Sequence, residues 1–189
     1  MKNIAIFASG TGTNAENLIR FFRTKLSGQV TLVLTNNREA FVINRAQSLD
    51  IETVIFNREQ LYQNGEVLAK LKEKEIDFII LAGFLLLVPD PLLSAFEGKI
   101  INIHPALLPK YGGKGMFGRH VHEAVIASGD TKSGITIHHV NQKYDDGNII
   151  FQAICEVEHD DTPESLAKKI HILEHEHFPK VVEGLLKQF

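Results

Sequence analysis

Asn102-Ile103-His104-Pro105-Ala106-Leu107-Leu108-Pro109 closes an apolar run at residues 100–103, and its reading decides the fold. A short continuous run of this kind reads as a buried strand of a parallel sheet. Side chains two apart on a strand point the same way, so Asn102 and His104 project together toward whatever lies at the strand's carboxyl end. In open α/β sheets that end is where ligands bind. Pro105 and Pro109 fix φ and remove two donors, so the chain past His104 is a stiff loop rather than more ladder. A carboxamide beside an imidazole, held rigid, can polarise a carbonyl and move a proton. The same pair also fits a strand-end Asn that caps a turn beside a half-buried, satisfied His.

Upstream, the apolar residues 4–8 end at Ser9-Gly10-Thr11-Gly12-Thr13-Asn14, and residues 15–26 carry Leu18, Ile19 and Phe22 at the spacing of one helix face. Strand, Gly-rich turn and helix begin a βαβ unit. Converging backbone amides and the positive end of the helix make the turn a phosphate site. Gly10-x-Gly12-x-x-Ala15 loosely matches a dinucleotide fingerprint, but the next strand, residues 30–34, ends in Thr35-Asn36-Asn37 without the ribose-binding acid that motif requires. The Gly-Lys-Ser/Thr of a P-loop is absent too. A monophosphate on Gly12, Thr13 and Asn14 remains, beside the alternative of a turn that only packs helix on strand.

The alternation continues with helices over 39–49, 58–74 and 91–96 and strands over 52–56, 78–82 and 99–103. Residues 83–88 leave the sheet as an apolar loop, which serves either as core or as the wall of a flat ligand's pocket. Residues 110–118 hold four glycines and form a mobile loop, a candidate lid. A helix over 119–128 precedes strands over 135–140 and 149–157. They are joined through Asp145-Asp146-Gly147, and the first puts His138 and His139 on opposite faces. Thr162 or Asp161 caps a last helix that starts at Pro163 and has a candidate kink at Pro179. The pattern predicts an α/β, doubly wound, mainly parallel sheet with an antiparallel C-terminal extension, in a single domain over 1–189.

Totals narrow the classes. Of 189 residues, 44% are apolar and 23% charged, which describes an ordinary globular chain. A formal net charge of -3 argues against a nucleic-acid binder. The single Cys155 excludes an internal disulfide and any Cys-rich zinc site. The chain opens straight into a strand, without a signal peptide, and its longest apolar run, residues 78–88, is too short for a membrane span. A cytoplasmic protein is expected. His171-Ile172-Leu173-Glu174-His175 matches the H-x-x-E-H zinc-peptidase pattern, against the simpler reading of a polar helix face rich in His and Glu.

The ordered set of Ser9-Gly10-Thr11-Gly12-Thr13-Asn14, Leu81-Ala82-Gly83-Phe84, the 102–109 block, His138 and Asp145-Asp146-Gly147 resembles the phosphoribosylglycinamide formyltransferase family, across nearly the whole chain. The resemblance implies the Rossmann-like formyltransferase fold, with an N-terminal half for the ribonucleotide and a C-terminal half for folate. It further implies transfer of a formyl group from 10-formyltetrahydrofolate to glycinamide ribonucleotide in de novo purine (IMP) synthesis, with no metal required. Asn102, His104 and Asp145 match the family's catalytic residues, with His138 in support. Gly12, Thr13, Asn14 and Glu174 match its ribonucleotide contacts. Leu85, Leu86, Leu87, Val88, Asn141 and Tyr144, with Asn102 and Asp145, match its folate contacts. Leu86 stands where some members carry an Arg, and residues 112–118 look longer than usual. Small-molecule substrates, no nucleic acid and no membrane follow, and a homodimer stays open. Sugar-amine N-formyltransferases and formyltetrahydrofolate hydrolases of the same fold are the alternatives.

Overall fold

A computed structural model of the chain describes residues 1–188. β1 (Lys2–Phe7), β2 (Gly28–Thr35), β3 (Glu52–Ile55), β4 (Phe78–Leu81), β5 (Ile100–His104), β6 (Lys132–His139) and β7 (Ile149–Glu156) form one sheet in the order β3-β2-β1-β4-β5-β6-β7. The strands from β3 through β5 pair in parallel. β6 then pairs antiparallel with β5, and β7 antiparallel with β6. This is the expected doubly wound sheet with its antiparallel extension. The order reverses between β1 and β4, the crevice where such sheets bind ligands.

Period-two alternation sorts the strands' side chains into two cores. Ile4, Ile6, Phe78, Ile80, Ile101 and Ile103 face α1 (Thr13–Phe22), α2 (Val42–Gln47), α6 (Arg119–Ser128) and α7 (Pro163–Leu186). Ala5, Phe7, Leu32, Leu34 and Ile79 face α3 (Arg58–Tyr62), α4 (Glu66–Glu73) and α5 (Asp90–Ala95). Central strands buried on both faces explain why their sequences read as unbroken apolar runs.

The helix expected over 58–74 is two helices. α4 is preceded by Gly65 at φ 72, a left-handed conformation that ends one helix and begins another. The Asn64 carboxamide accepts from the Glu66 N–H at 3.1 Å and reinforces the restart. The α1 helix begins at Thr13 rather than Ala15, with Gly12 at φ 75 as its cap, and the second helix shortens to Val42–Gln47. α7 runs through Pro179 as one helix. Proline there leaves the carbonyl four residues back without its helical donor. Asn17 of α1 supplies one, donating from Nδ2 to the His175 carbonyl at 2.9 Å, so the helix's weakest turn is tied to its neighbour. Among the described residues no helix is long and apolar enough to cross a membrane.

The stiff loop after β5 is pinned from β6. The buried Thr136 hydroxyl donates to the Ala106 carbonyl at 2.7 Å and accepts from the Leu108 N–H at 3.0 Å. Nearby, Gly134 passes so close to β7 that a Cβ would overlap the Ala153 carbonyl and come within 2.8 Å of Leu107 Cδ2. Gly134→Ala is therefore expected to cost about 1–3 kcal/mol by overpacking. Thermal unfolding should register a Tm lower by several degrees, and an unchanged Tm would mean that β7 yields without cost.

Candidate active site

Antiparallel register sets Asn102 of β5 directly opposite His138 of β6. His138 Nδ1 lies 2.8 Å from the His139 carbonyl, which can only accept, so Nδ1 carries a proton. Nε2 is left to accept from Asn102 Nδ2 at 3.1 Å. The same amide nitrogen reaches Asp145 Oδ1 at 3.4 Å. His104 donates from Nε2 to the Tyr111 carbonyl at 2.7 Å and turns Nδ1 toward Asp145 Oδ1 at 3.5 Å. Asp145 Oδ2 accepts the Gly113 N–H at 2.9 Å. Thus Asn102, His104 and His138 converge on the Asp145 carboxylate.

Local backbone makes that possible. Asp145 itself sits at φ 54, in the left-handed region that an aspartate tolerates better than most residues. Gly147 lies so tightly on the His139 carbonyl that no Cβ fits, which folds the turn back over the strand end. Burial drives the His104 imidazole below the ordinary histidine value, and Asp145 only partly opposes it. Burial also pushes the Asp145 carboxyl upward, but His138, His104 and the Gly113 N–H together hold it below the usual carboxylate value.

These residues stand in a cavity of about 790 Å³ at the carboxyl ends of β1, β4 and β5. Its opposite end is the Gly-rich turn. The carbonyls of Gly10 and Thr11 are taken by the Val42 N–H at 3.1 Å and by Arg45 Nε at 2.9 Å, both from the α2 side. The first-turn amides of α1 are left to the cavity, with the positive end of the helix dipole behind them. Asn14 donates from Nδ2 to Glu174 Oε2 at 3.0 Å, and His171 Nδ1 approaches the same oxygen at 2.8 Å. Glu174 is 5% exposed, and its hydrogen bond holds the His171 imidazole above the ordinary histidine value.

Gly12, Thr13, Asn14, Leu85, Asn102, His104, Tyr144, Asp145 and Glu174 all line this cavity. His138 lies directly behind it through Asn102. Leu86, Leu87, Val88 and Asn141 are not on the wall. Val88 is 4% exposed within the second core, Leu86 packs beside it, and the Leu87 carbonyl accepts from the Tyr62 hydroxyl at 2.8 Å. Asn141 Nδ2 donates to Asp146 Oδ2 at 3.3 Å. The 112–118 segment forms part of the wall, from Gly113 to Gly118. His122 is a wall residue that the sequence reading did not assign to a ligand, and His171 is one that it placed only in the H-x-x-E-H pattern. His171 had a signal in its spacing from Glu174, whereas His122 had none beyond its place on an amphipathic helix. Among the described residues no group of three or more His, Cys, Asp or Glu side chains is arranged to hold a metal ion.

With the geometry established, comparison with known proteins converges on one group. The sequence profile described as formyl transferase matches residues 2–182. The chain is 40% identical to phosphoribosylglycinamide formyltransferase, chloroplastic, of Vigna unguiculata, over 99% of this chain and 62% of that protein. It is 36% identical to phosphoribosylglycinamide formyltransferase of Bacillus subtilis (strain 168), over 98% of this chain and 95% of that one. The chain thus spans less than two thirds of the plant relatives it matches, 62% and 66%. Among solved structures, phosphoribosylglycinamide formyltransferase from Bacillus halodurans superposes with a TM-score of 0.88 at 39% identity, covering 98% of this chain and 95% of that one. Glycinamide ribonucleotide transformylase 1 from Symbiobacterium toebii gives 0.90 at 28% identity, covering 100% and 89%.

The Glu174–His171 contact carries its own check. Glu174→Gln should lower the titration midpoint of the His171 imidazole toward the ordinary histidine value, read from its ring resonances by NMR. The sign follows from the linkage. A histidine raised by a carboxylate stabilises the fold most fully below its unfolded value and loses that contribution as pH climbs through the folded one. A midpoint that did not move would detach His171 from Glu174.

Proposed function

The chain belongs to the formyl transferase family, and we propose that it transfers a formyl group from 10-formyltetrahydrofolate to the amine of 5'-phosphoribosylglycinamide, the formylation step of de novo purine synthesis. One observation carries the reading: Asn102 and His104 each come within 3.5 Å of Asp145 in a cavity whose far end is the open N-terminus of α1. An acceptor with a phosphate at one end and a nucleophilic amine at the other matches that layout.

The amine nitrogen attacks the formyl carbon, a C–N bond forms, and the carbonyl oxygen becomes an oxyanion. Asn102 Nδ2 is the donor on hand, and His104 Nδ1 becomes a second one when the ring, whose Nε2–H is held by the Tyr111 carbonyl, takes up a proton from solvent to become the imidazolium. Both Nδ2 hydrogens of Asn102 are directed within the protein, at 3.1 Å to His138 and at 3.4 Å to Asp145, and the longer contact is the one that yields to the substrate. Burial works against a charged His104 in the free protein, whereas a developing oxyanion and the neighbouring Asp145 work for it. Collapse of the intermediate breaks the bond from the formyl carbon to the folate N10. The proton lost by the amine travels to N10 through a water held by Asp145. His138 keeps the Asn102 amide turned the right way round.

The acceptor choice also separates the alternatives. A hydrolase needs no anion site beside the reacting groups, and a sugar nucleotide needs a pocket other than the compact turn before α1. Formyl transfer is tested by mixing the protein, the ribonucleotide and 10-formyltetrahydrofolate, with and without a chelator. Ribonucleotide-dependent, chelator-insensitive release of tetrahydrofolate is expected. Release without the ribonucleotide would identify a hydrolase instead.

Asp145→Asn should lower kcat by about a hundred- to ten-thousand-fold while leaving ribonucleotide binding within a few-fold, as for loss of a group that moves a proton. Equal loss of binding and turnover would reassign Asp145 to holding the fold.

A further inference from the structure

One polar wall residue has no task in the proposed reaction. His122, on the first turn of α6, is 7% exposed and lines the cavity. Its Nδ1 is buried without a hydrogen-bond partner. Nε2 makes no hydrogen bond within the protein either, yet it is not sealed off from solvent, so it is the nitrogen that meets the cavity. Burial pushes the ring below the ordinary histidine value, with Glu174 only partly opposing, so it carries one proton at neutral pH. A buried N–H without an acceptor is rarer and worse tolerated than a buried lone pair. The proton therefore sits on Nε2, and His122 presents a donor to the cavity.

At the cavity's anion end a buried side-chain donor has a charge to answer. A phosphate seated on the first-turn amides of α1 lies next to Asn14, whose side chain is bonded to the buried Glu174 carboxylate. An ionised carboxylate there repels a dianion on the neighbouring amides. Two imidazoles flank Glu174: His171 on α7 bonds to it at 2.8 Å, while His122 on α6 feels its charge without bonding to it. Arg119 is engaged with Glu123 and Glu164, and Lys114 is an exposed residue of the glycine-rich loop. His122 is the buried donor left unspoken for.

We propose that His122 is a further ribonucleotide-binding residue, whose Nε2–H donates to the phosphate held at the start of α1 and makes the site select a phosphorylated acceptor. The assignment rests on the ribonucleotide reading above. It gives the α6 helix, which carries none of the reacting groups, a direct share in acceptor choice.

The test compares wild-type protein with His122→Leu and His122→Gln, the latter setting an amide nitrogen near the Nε2 position. Binding of ribose 5-phosphate is measured by calorimetry, alongside formyl-transfer kinetics with the ribonucleotide and with its unphosphorylated riboside. His122→Leu should weaken ribose 5-phosphate about 10- to 100-fold, as for a lost hydrogen bond to a charged group, and raise the ribonucleotide KM by a like factor with kcat little changed. His122→Gln should recover binding to within a few-fold, and the riboside should not respond to either change. If His122→Leu does not fold, His122→Asn replaces it, since Asn keeps a polar atom at Nδ1 but does not reach Nε2. Unchanged binding on removal of the imidazole overturns the proposal. So does equal loss for ribonucleotide and riboside, or equal loss in the Gln variant. A wild-type protein that binds ribose 5-phosphate through His122 but formylates nothing would end the glycinamide reading and leave the phosphate contact standing. Failure of the wild type to bind ribose 5-phosphate would sink both.

Discussion

The Asp145 carboxylate, 11% exposed, sets a strict demand on the reacting end, because a charge so far from water has to be matched by polar groups fixed in place. The partners come from separate segments. Asn102 donates from β5 and the Gly113 N–H from the loop that follows β5, while the His104 and His138 rings approach within 3.5 and 3.6 Å from β5 and β6. Hydrogen bonds to a charged group contribute about 1.5–3 kcal/mol each, so displacement of any one segment weakens the rest. The ordering of the glycine-rich 112–118 loop is then partly a consequence of the carboxylate. Its first residues are held by Asp145 at Gly113 and by His104 at the Tyr111 carbonyl.

The sheet's change of direction at β5 delivers this carboxylate. A parallel neighbour would require a crossover helix, whereas an antiparallel pair permits a short return. β6 and β7 use that freedom, and the connection between them brings Asp145 back over the end of β5. β5 consequently serves two masters. Its pairing with β4 places its carboxyl end in the ligand crevice, and its pairing with β6 sets Asn102 against His138 and His104 against Thr136. Thr136 in turn pins the loop that contains Pro105 and Pro109. An Asn and a His two residues apart on this strand are thus fixed by pairing on both sides.

Much of this was legible because it follows from local chemistry. Unbroken apolar runs gave the buried parallel strands, the Gly10–Gly12 turn gave the start of α1, and Asp145-Asp146-Gly147 gave the return. Other features depended on contacts the chain makes only once folded. The break before α4 is hidden because Leu61, Val67 and Leu71 stay apolar across it, and only Asn64-Gly65 marks it. Apolarity could not tell a wall from a core. Leu85 faces the cavity while Val88, three residues on, fills the second hydrophobic core. His171 and Glu174 looked like half of a zinc motif, but Glu174 joins Asn14 and His171 in a purely hydrogen-bonded set. His122 beside Val121 looked like any residue on the edge of a buried helix face.

The two ends of the cavity are built from different elements, and the reaction proposed for them uses that difference. The anion end stands on α1, on α2 through Arg45, and on the long α7, with Asn17 bracing α7 at Pro179. The reacting end stands on β5 and β6 and on the turn and glycine-rich loop that meet them, and its polar groups already satisfy one another without a substrate. An incoming amine gains little there until the 3.4 Å contact between Asn102 and Asp145 gives way. In the proposed reaction a phosphate bound at the start of α1 would offset that loss, because interaction with a remote part of a substrate can drive rearrangement at the reacting centre. A phosphate fixed at one end also holds the amine near the formyl carbon and turns an encounter of two molecules into a positioned one. On this view the phosphate is more than a handle for recognition, since the reacting groups are released from one another only when it is in place.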